Sequence, residues 1–133
     1  MKTDELSTCF LTKEVDACRG FYEKYFSAKV FYDCGWYVNL RINGNGPSLQ
    51  FMKPHNEMPT FGGTGVMLNF KVANVDQEHE RLTKMGLKPV MPLEDHPWGD
   101  RGFSLMDPIG NSVYIYSDRE PSSDEKKFYK PLA

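Results

Sequence analysis

The sequence predicts an α+β fold made of two βαβββ modules, and three observations carry that prediction. Two amphipathic stretches of helical period lie about 60 residues apart, each preceded by one strand-like run and followed by three. Identical residues recur at an offset of 60: Phe10 with Phe70, Val15 with Val75, Asp16 with Asp76, Lys24 with Lys84 and Val30 with Val90. They fall in matching elements, which marks an internal repeat. The second copy carries four extra residues around LEDHPWGDRG; beyond it the offset is 64, and Gln50 aligns with Tyr114.

Each element has its own signal. The first strand is STCFLTK (7–13). The first helix, VDACRGFYEKYF (15–26), places Cys18, Phe21, Tyr22 and Tyr25 at i, i+3, i+4 and i+7. Strand-like KVFYDC, WYVNLRI and PSLQFMK follow, and NGNG (43–46) between the last two is a hairpin signal. TFGGTG links the modules. The second copy opens with the strand GVMLNFKV (65–72). Its helix, NVDQEHERLTKMG (74–86), has Asn74 as N-cap, Val75, His79, Leu82 and Met85 on one face, and Gly86 at C′. KPVMP, GFSLM and SVYIYS complete it. Between the last two, DPIGN reads as a tight turn: Pro108 fixes φ, and Gly110 or Asn111 can take a positive φ.

A chain of 133 residues is one domain by length. Its hydrophobic fraction of 40% and charged fraction of 26% are those of a soluble globular protein. A net charge of −2 supplies no basic field for nucleic acid and mildly favours a cationic ligand. The start, MKTDELSTCF, has charges where a signal peptide needs an apolar core, and no apolar run approaches a membrane span. Cys9, Cys18 and Cys34 are odd in number and lack C-x-x-C spacing, so we read them as reduced thiols of a cytoplasmic protein, not a zinc site.

These features resemble the vicinal oxygen chelate superfamily, which contains glyoxalase I, extradiol dioxygenases, fosfomycin resistance enzymes and bleomycin resistance proteins. The resemblance covers about residues 5–118. Its most specific part is PWGDRGFSLMDPIGN (97–111), similar to the P-W-G-x-R-x-F-x-x-x-D-P-x-G-N of the bleomycin resistance-like branch. FYEKYFSAKV resembles the F-Y-x-x-x-x-G that closes a module's first helix, with Ser27 or Ala28 near the usual glycine. The resemblance implies modules at about 5–54 and 64–118, each a curved mixed half-sheet, paired around a cleft within one chain or across a strand-swapped homodimer. Residues 119–133 form a polar C-terminal extension, with FYKPL able to dock on the sheet or on a partner subunit.

The superfamily's enzymes hold a divalent metal with His, Glu or Gln from the first and last strand of each module. A metal that polarises vicinal oxygens needs three or four lone-pair donors and an open position. Carried onto this chain, those positions fall at Ser7 and Gln50, and at Met67 and Tyr114. One amide does not hold a metal alone, and a one-residue shift brings in only Thr8 or Leu68. No cofactor is therefore expected; a divalent metal is expected only if the strand register is misread. The three histidines show no H-x-x-x-H pair: His79 reads as an interface residue, His55 as exposed, and His96 as able to reach a pocket mouth.

Period-two alternation puts Ser7, Cys9, Gln50, Met52, Met67, Asn69, Tyr114 and Tyr116 on one face. That mixture suits a small-molecule pocket and equally a partly filled β-core. Cys9 is readable as a nucleophile or as a small apolar filler. Trp98 and Arg101 have two readings. In one, Trp98 caps the sheet end and Arg101 pairs with Asp107 or Asp100; in the other, both border a ligand, with Trp98 stacking on a flat one. Trp36 and Tyr37 are placed to furnish an opposing wall.

The expectation is a small-molecule-binding protein of the glyoxalase/bleomycin resistance-like type, without a bound metal, serving antibiotic or toxin sequestration. Bleomycin is one candidate ligand among many. A metal-dependent lyase, isomerase or dioxygenase is the first alternative, so whether the chain is an enzyme stays open. A dimeric interaction module with a vestigial pocket is the second. The expected partners are a small-molecule ligand and a second copy of the chain, not nucleic acid or a membrane.

Overall fold

The computed structural model describes residues 1–132. The element order is β1 (Thr8–Leu11), α1 (Val15–Phe26), β2 (Lys29–Asp33), β3 (Tyr37–Arg41), β4 (Ser48–Met52), β5 (Met67–Lys71), α2 (Val75–Lys84), β6 (Met91–His96), β7 (Asp100–Met106), β8 (Ser112–Asp118) and α3 (Ser123–Lys126). The two predicted βαβββ modules are present as two four-stranded mixed sheets, ordered β1-β4-β3-β2 and β5-β8-β7-β6. The internal repeat is thus structural. The parallel pairing of Cys9 with Gln50 in the first sheet has its counterpart in Asn69 with Tyr114 in the second.

The chain divides into two compact units: Met1–Thr64 with the turn Asp107–Gly110, and Gly65–Met106 with the chain from Asn111 onward. In the first unit α1 occupies the predicted range and buries Val15, Cys18, Tyr22 and Phe26. Phe21 and Tyr25, also on the predicted stripe, are only half-buried. Tyr22 stacks on Phe51 of β4 at 5.7 Å and donates its hydroxyl to Asp107 at 2.6 Å. Burial, followed by the Asp107 charge, holds that phenol protonated.

In the second unit the side chain of Asn74 accepts the amide of Gln77, the predicted N-cap bond, and Gly86 takes φ +97°. Val75 and Leu82 are buried, while His79 lies edge-on to Phe103 at 4.8 Å. One predicted boundary is corrected, and two predicted turns gain detail. β6 begins at Met91 and runs through LEDH, so the loop expected there shrinks to Pro97–Gly99; an irregularity between Met91 and Glu94 accommodates Pro92 at the sheet edge. NGNG lies in the predicted hairpin: β3 and β4 pair antiparallel up to Arg41 and Ser48, and Ile42–Gly44 forms a 3-10 turn between them, with Asn43 and Gly44 at positive φ. In DPIGN it is Gly110 that takes positive φ, while Asp107 caps the turn by accepting the amide of Ile109 at 3.0 Å. Among the described residues no helix is long and apolar enough to cross a membrane.

Candidate functional site

The second sheet carries a cavity of about 430 Å³ lined by Met67, Asn69, Met91, Trp98, Asp100, Tyr114 and Tyr116. Strand alternation explains the set. Met67 and Asn69 project from β5, and Tyr114 and Tyr116 from β8, on one face. On β7, Asp100 and Gly102 share that side, while Phe103 and Leu105 are buried opposite. Gly102 is what lets Tyr114 lie flat against β7: a Cβ there would stand 2.5 Å from Tyr114 Cζ.

Trp98 reaches the cavity from the turn His96–Gly99. Pro97 and Gly99 occupy the positions a β-turn prefers for them, and the Gly99 amide donates to the His96 carbonyl at 3.2 Å. The indole stacks on His96, with centroids 4.5 Å apart and planes 3° from parallel. The C-terminal segment claims every carbonyl of this loop. Ser122 N donates to Pro97 O, Tyr129 Oη to Trp98 O, and Arg119 N to Gly99 O.

The cavity wall itself carries a polar cluster that no single run of the sequence displays: the lining residues Asp100 and Tyr114, backed by His96. His96 and Asp100 are paired across β6 and β7, and His96 Nδ1 lies 2.7 Å from Asp100 Oδ1. Tyr114 Oη lies 2.9 Å from the same oxygen and 3.1 Å from His96 Nδ1. A carboxylate only accepts, so Nδ1 carries a proton, and the tyrosine hydroxyl donates to Asp100. Burial first, then the Asp100 hydrogen bond, pushes the Tyr114 phenol well above the ordinary tyrosine value. Tyr114 is therefore a neutral hydrogen-bonding group. The signal for the cluster is the i, i+4 spacing of His96 and Asp100 across the three-residue Pro97-Trp98-Gly99 turn.

Arg101 is not part of this wall. Its guanidinium turns to α2 and pairs with Asp76, with Nε 3.2 Å and Nη2 2.9 Å from the carboxylate. The Arg101 hydrogen bonds and charge hold the Asp76 carboxyl below its usual range. The expected pairing with Asp107 or Asp100 is replaced because Arg101 and Asp100 are adjacent on one strand and must face opposite ways.

The other predicted residues lie in the first unit. Gln50 is the hub of a polar network on the sheet: it donates to Ser7 and Ser48, each at 3.0 Å, and accepts from Tyr37 at 2.9 Å. Tyr37 is thus part of that network and not a free wall. Trp36 packs edge-on to His55 at 4.5 Å. Cys9 lines a smaller hollow of about 200 Å³ with Phe10, Leu11 and the Pro59–Phe61 segment. Burial raises its thiol pKa, which disfavours a nucleophilic thiolate. Met52 is half-buried at the end of β4.

The positions that would hold the superfamily's metal supply a hydroxyl and an amide in the first unit, and a thioether and a protonated phenol in the second. None is an imidazole or carboxylate, and the Gln50 amide and Tyr114 phenol are already committed to protein partners. This donor set does not fit a hard divalent cation. Among the described residues, no three of His, Cys, Asp and Glu gather elsewhere in a metal-binding group.

The sequence profile of the glyoxalase-like domain matches residues 7–120. The chain belongs to the glyoxalase-like domain family. An uncharacterised protein of Mycobacterium bovis is 37% identical to it over 93 residues, 65% of this chain and 61% of that protein. The chain thus spans less than two thirds of that relative's length. Among solved structures, a glyoxalase/bleomycin resistance protein/dioxygenase from Nocardioides matches with a TM-score of 0.72 at 20% identity, covering 90% of this chain and 86% of that one. An antibiotic binding protein from a Streptomyces species matches with a TM-score of 0.68 at 19% identity, covering 88% and 97%. At these identities the structural likenesses speak for the fold.

Proposed function

We propose that the protein binds a small flat molecule in the cavity of its second module and releases it chemically unchanged, holding no metal of its own. The observation that carries this reading is the residue at position 114. Where the superfamily's enzymes place a metal-binding side chain, this chain has a protonated tyrosine hydrogen-bonded to Asp100. Around it, Trp98, Tyr116, Met67 and Met91 give the apolar and aromatic surface of a small-molecule site, with Asn69, Asp100 and Tyr114 as its few polar groups. About 430 Å³ lies within the roughly 300–1,000 Å³ of such sites. The likeness to an antibiotic binding protein supports sequestration of an antibiotic or toxin as the role. A second copy of the chain belongs to the same proposal, supported by the exposed β2 edge with Val30, Phe31 and Tyr32.

The test is a thermal-shift screen of planar aromatic compounds, followed by calorimetric titration and mass spectrometry of the recovered ligand. Saturable binding that weakens in Trp98→Ala, with the ligand recovered intact, is the expected result. Conversion of the ligand to product, or a screen without a single stabilising compound, contradicts the proposal.

A further inference from the structure

The ionisable wall of the second-module cavity is one-sided. Asp100 lines the cavity with its side chain 11% exposed. Its Oδ1 takes the two bonds from His96 and Tyr114, and among the described residues no donor reaches Oδ2. Oδ2 is not sealed from solvent: it opens on the cavity, where water or a ligand donor can reach it. The cavity lining has no basic side chain to pair with it. Arg101, next in the chain, is turned to Asp76, and Lys71 is paired with Asp118 at 2.5 Å. Outside the lining, Glu94 places a second carboxylate 3.6 Å from His96 Nε2. Even a protonated His96 leaves the two acids in excess of the one base.

The aromatic surface completes the picture. His96 covers one face of the Trp98 indole. Trp98 nonetheless remains 49% exposed and lines the cavity, so a second ring can lie against it. Indole is the side chain best suited to a cation over its face.

We infer that this cavity selects planar cations: an aromatic or heteroaromatic ring bearing a protonated nitrogen, whose N–H meets Asp100 Oδ2 while the ring lies on Trp98. The inference rests on the binding reading above and narrows it to one charge class. It assigns Asp100 the recognition of the ligand's charge, and His96 the positioning of both Trp98 and Asp100.

Three probes of one three-ring size test it by calorimetry on the full chain: proflavine as the cation, acridone as the neutral ring and anthracene carboxylate as the anion. Proflavine is expected to bind at least about tenfold more tightly than acridone, with anthracene carboxylate weaker still. Asp100→Asn, which keeps the Oδ1 acceptor, is expected to bring proflavine to within about twofold of acridone. Acridone or the anion binding as tightly as proflavine overturns the inference while the binding reading stands. An unchanged proflavine affinity in a folded Asp100→Asn does the same. Failure of all three probes to bind overturns the inference; the binding reading falls with it only if the thermal-shift screen also yields no stabilising compound. Should Asp100→Asn not fold, the ranking on the unaltered protein decides alone.

Discussion

Replacing Gly102 with alanine tests whether the cavity floor is built as described. An ideal Cβ at Gly102 would sit 2.5 Å from Tyr114 Cζ, closer still to the hydroxyl oxygen, and 2.9 Å from the Ile115 carbonyl oxygen. Carbon atoms in good contact are about 3.5–4.0 Å apart, so the Tyr114 ring must move by about 1 Å or more. That movement breaks a bond held at 2.9 Å to a charged acceptor, Asp100. Overpacking costs about 2 kcal/mol and the charge-assisted hydrogen bond about 2 kcal/mol. The lower chain entropy of alanine returns about 1 kcal/mol. The net loss is about 3 kcal/mol, or a fall in Tm of about 10 °C for a chain of this size. Thermal unfolding followed by far-UV circular dichroism reads it. Gly20→Ala is the control: Gly20 sits inside α1 with nothing within 4 Å of an added Cβ. It should stabilise by about 0.5–1 kcal/mol through helix propensity alone. If Gly102→Ala melts with the unaltered protein, Tyr114 is not pinned over β7 and the cavity geometry is wrong.

Three further outcomes follow from the same contacts. Among the seven tyrosines, Tyr22 and Tyr114 should resist ionisation in a spectrophotometric alkaline titration, since both phenols are raised by burial and by a carboxylate partner. Their folded values lie above the unfolded value of about 10, so the stabilisation they give is whole below that pH. It is lost as the pH climbs from there through the raised values, and stability should fall in that alkaline window. Cys9 and Cys34 are exposed and should react with a thiol reagent in the native protein. Cys18 should react only on unfolding, because burial, then the charges of Asp107 and Glu14, push its thiol up to about 12. Tyr129→Phe removes the bond to the Trp98 carbonyl; the emission of Trp98, read in a Trp36→Phe background, should shift, with stability changed by no more than about 1 kcal/mol.

The fold was legible because its signals are local and repeated. The period of 15–26, the Asn74 cap with Gly86, and the shared offset of Phe10/Phe70 and Val15/Val75 each depend on residues close in the chain. The register of Gln50 and Tyr114 followed from the same repeat. The site was harder because its contacts cross strands. Arg101 was grouped with Trp98 by proximity in sequence, yet strand alternation separates them: Arg101 shares its face with Phe103 and Leu105, which pack on the helix side. His96 lies in the four-residue insertion around LEDHPWGDRG, which reads as a loop, whereas β6 runs to it and pairs it with Asp100. The Gln50 network with Ser7, Tyr37 and Ser48 needs the β3–β4 register, which no single run displays. The hold of Tyr129 on the Trp98 loop joins residues 31 apart and leaves no periodic trace.

The central claim is that the chain binds its ligand without a metal, and elemental analysis tests it most directly. The untagged protein is purified without chelator and analysed before and after incubation with nickel, zinc, manganese and iron. The account predicts only trace metal under every condition, because Ser7, Gln50, Met67 and Tyr114 offer neither imidazole nor carboxylate. About one metal per chain or per dimer would contradict it, and would return the site to the lyase and dioxygenase chemistry of the superfamily.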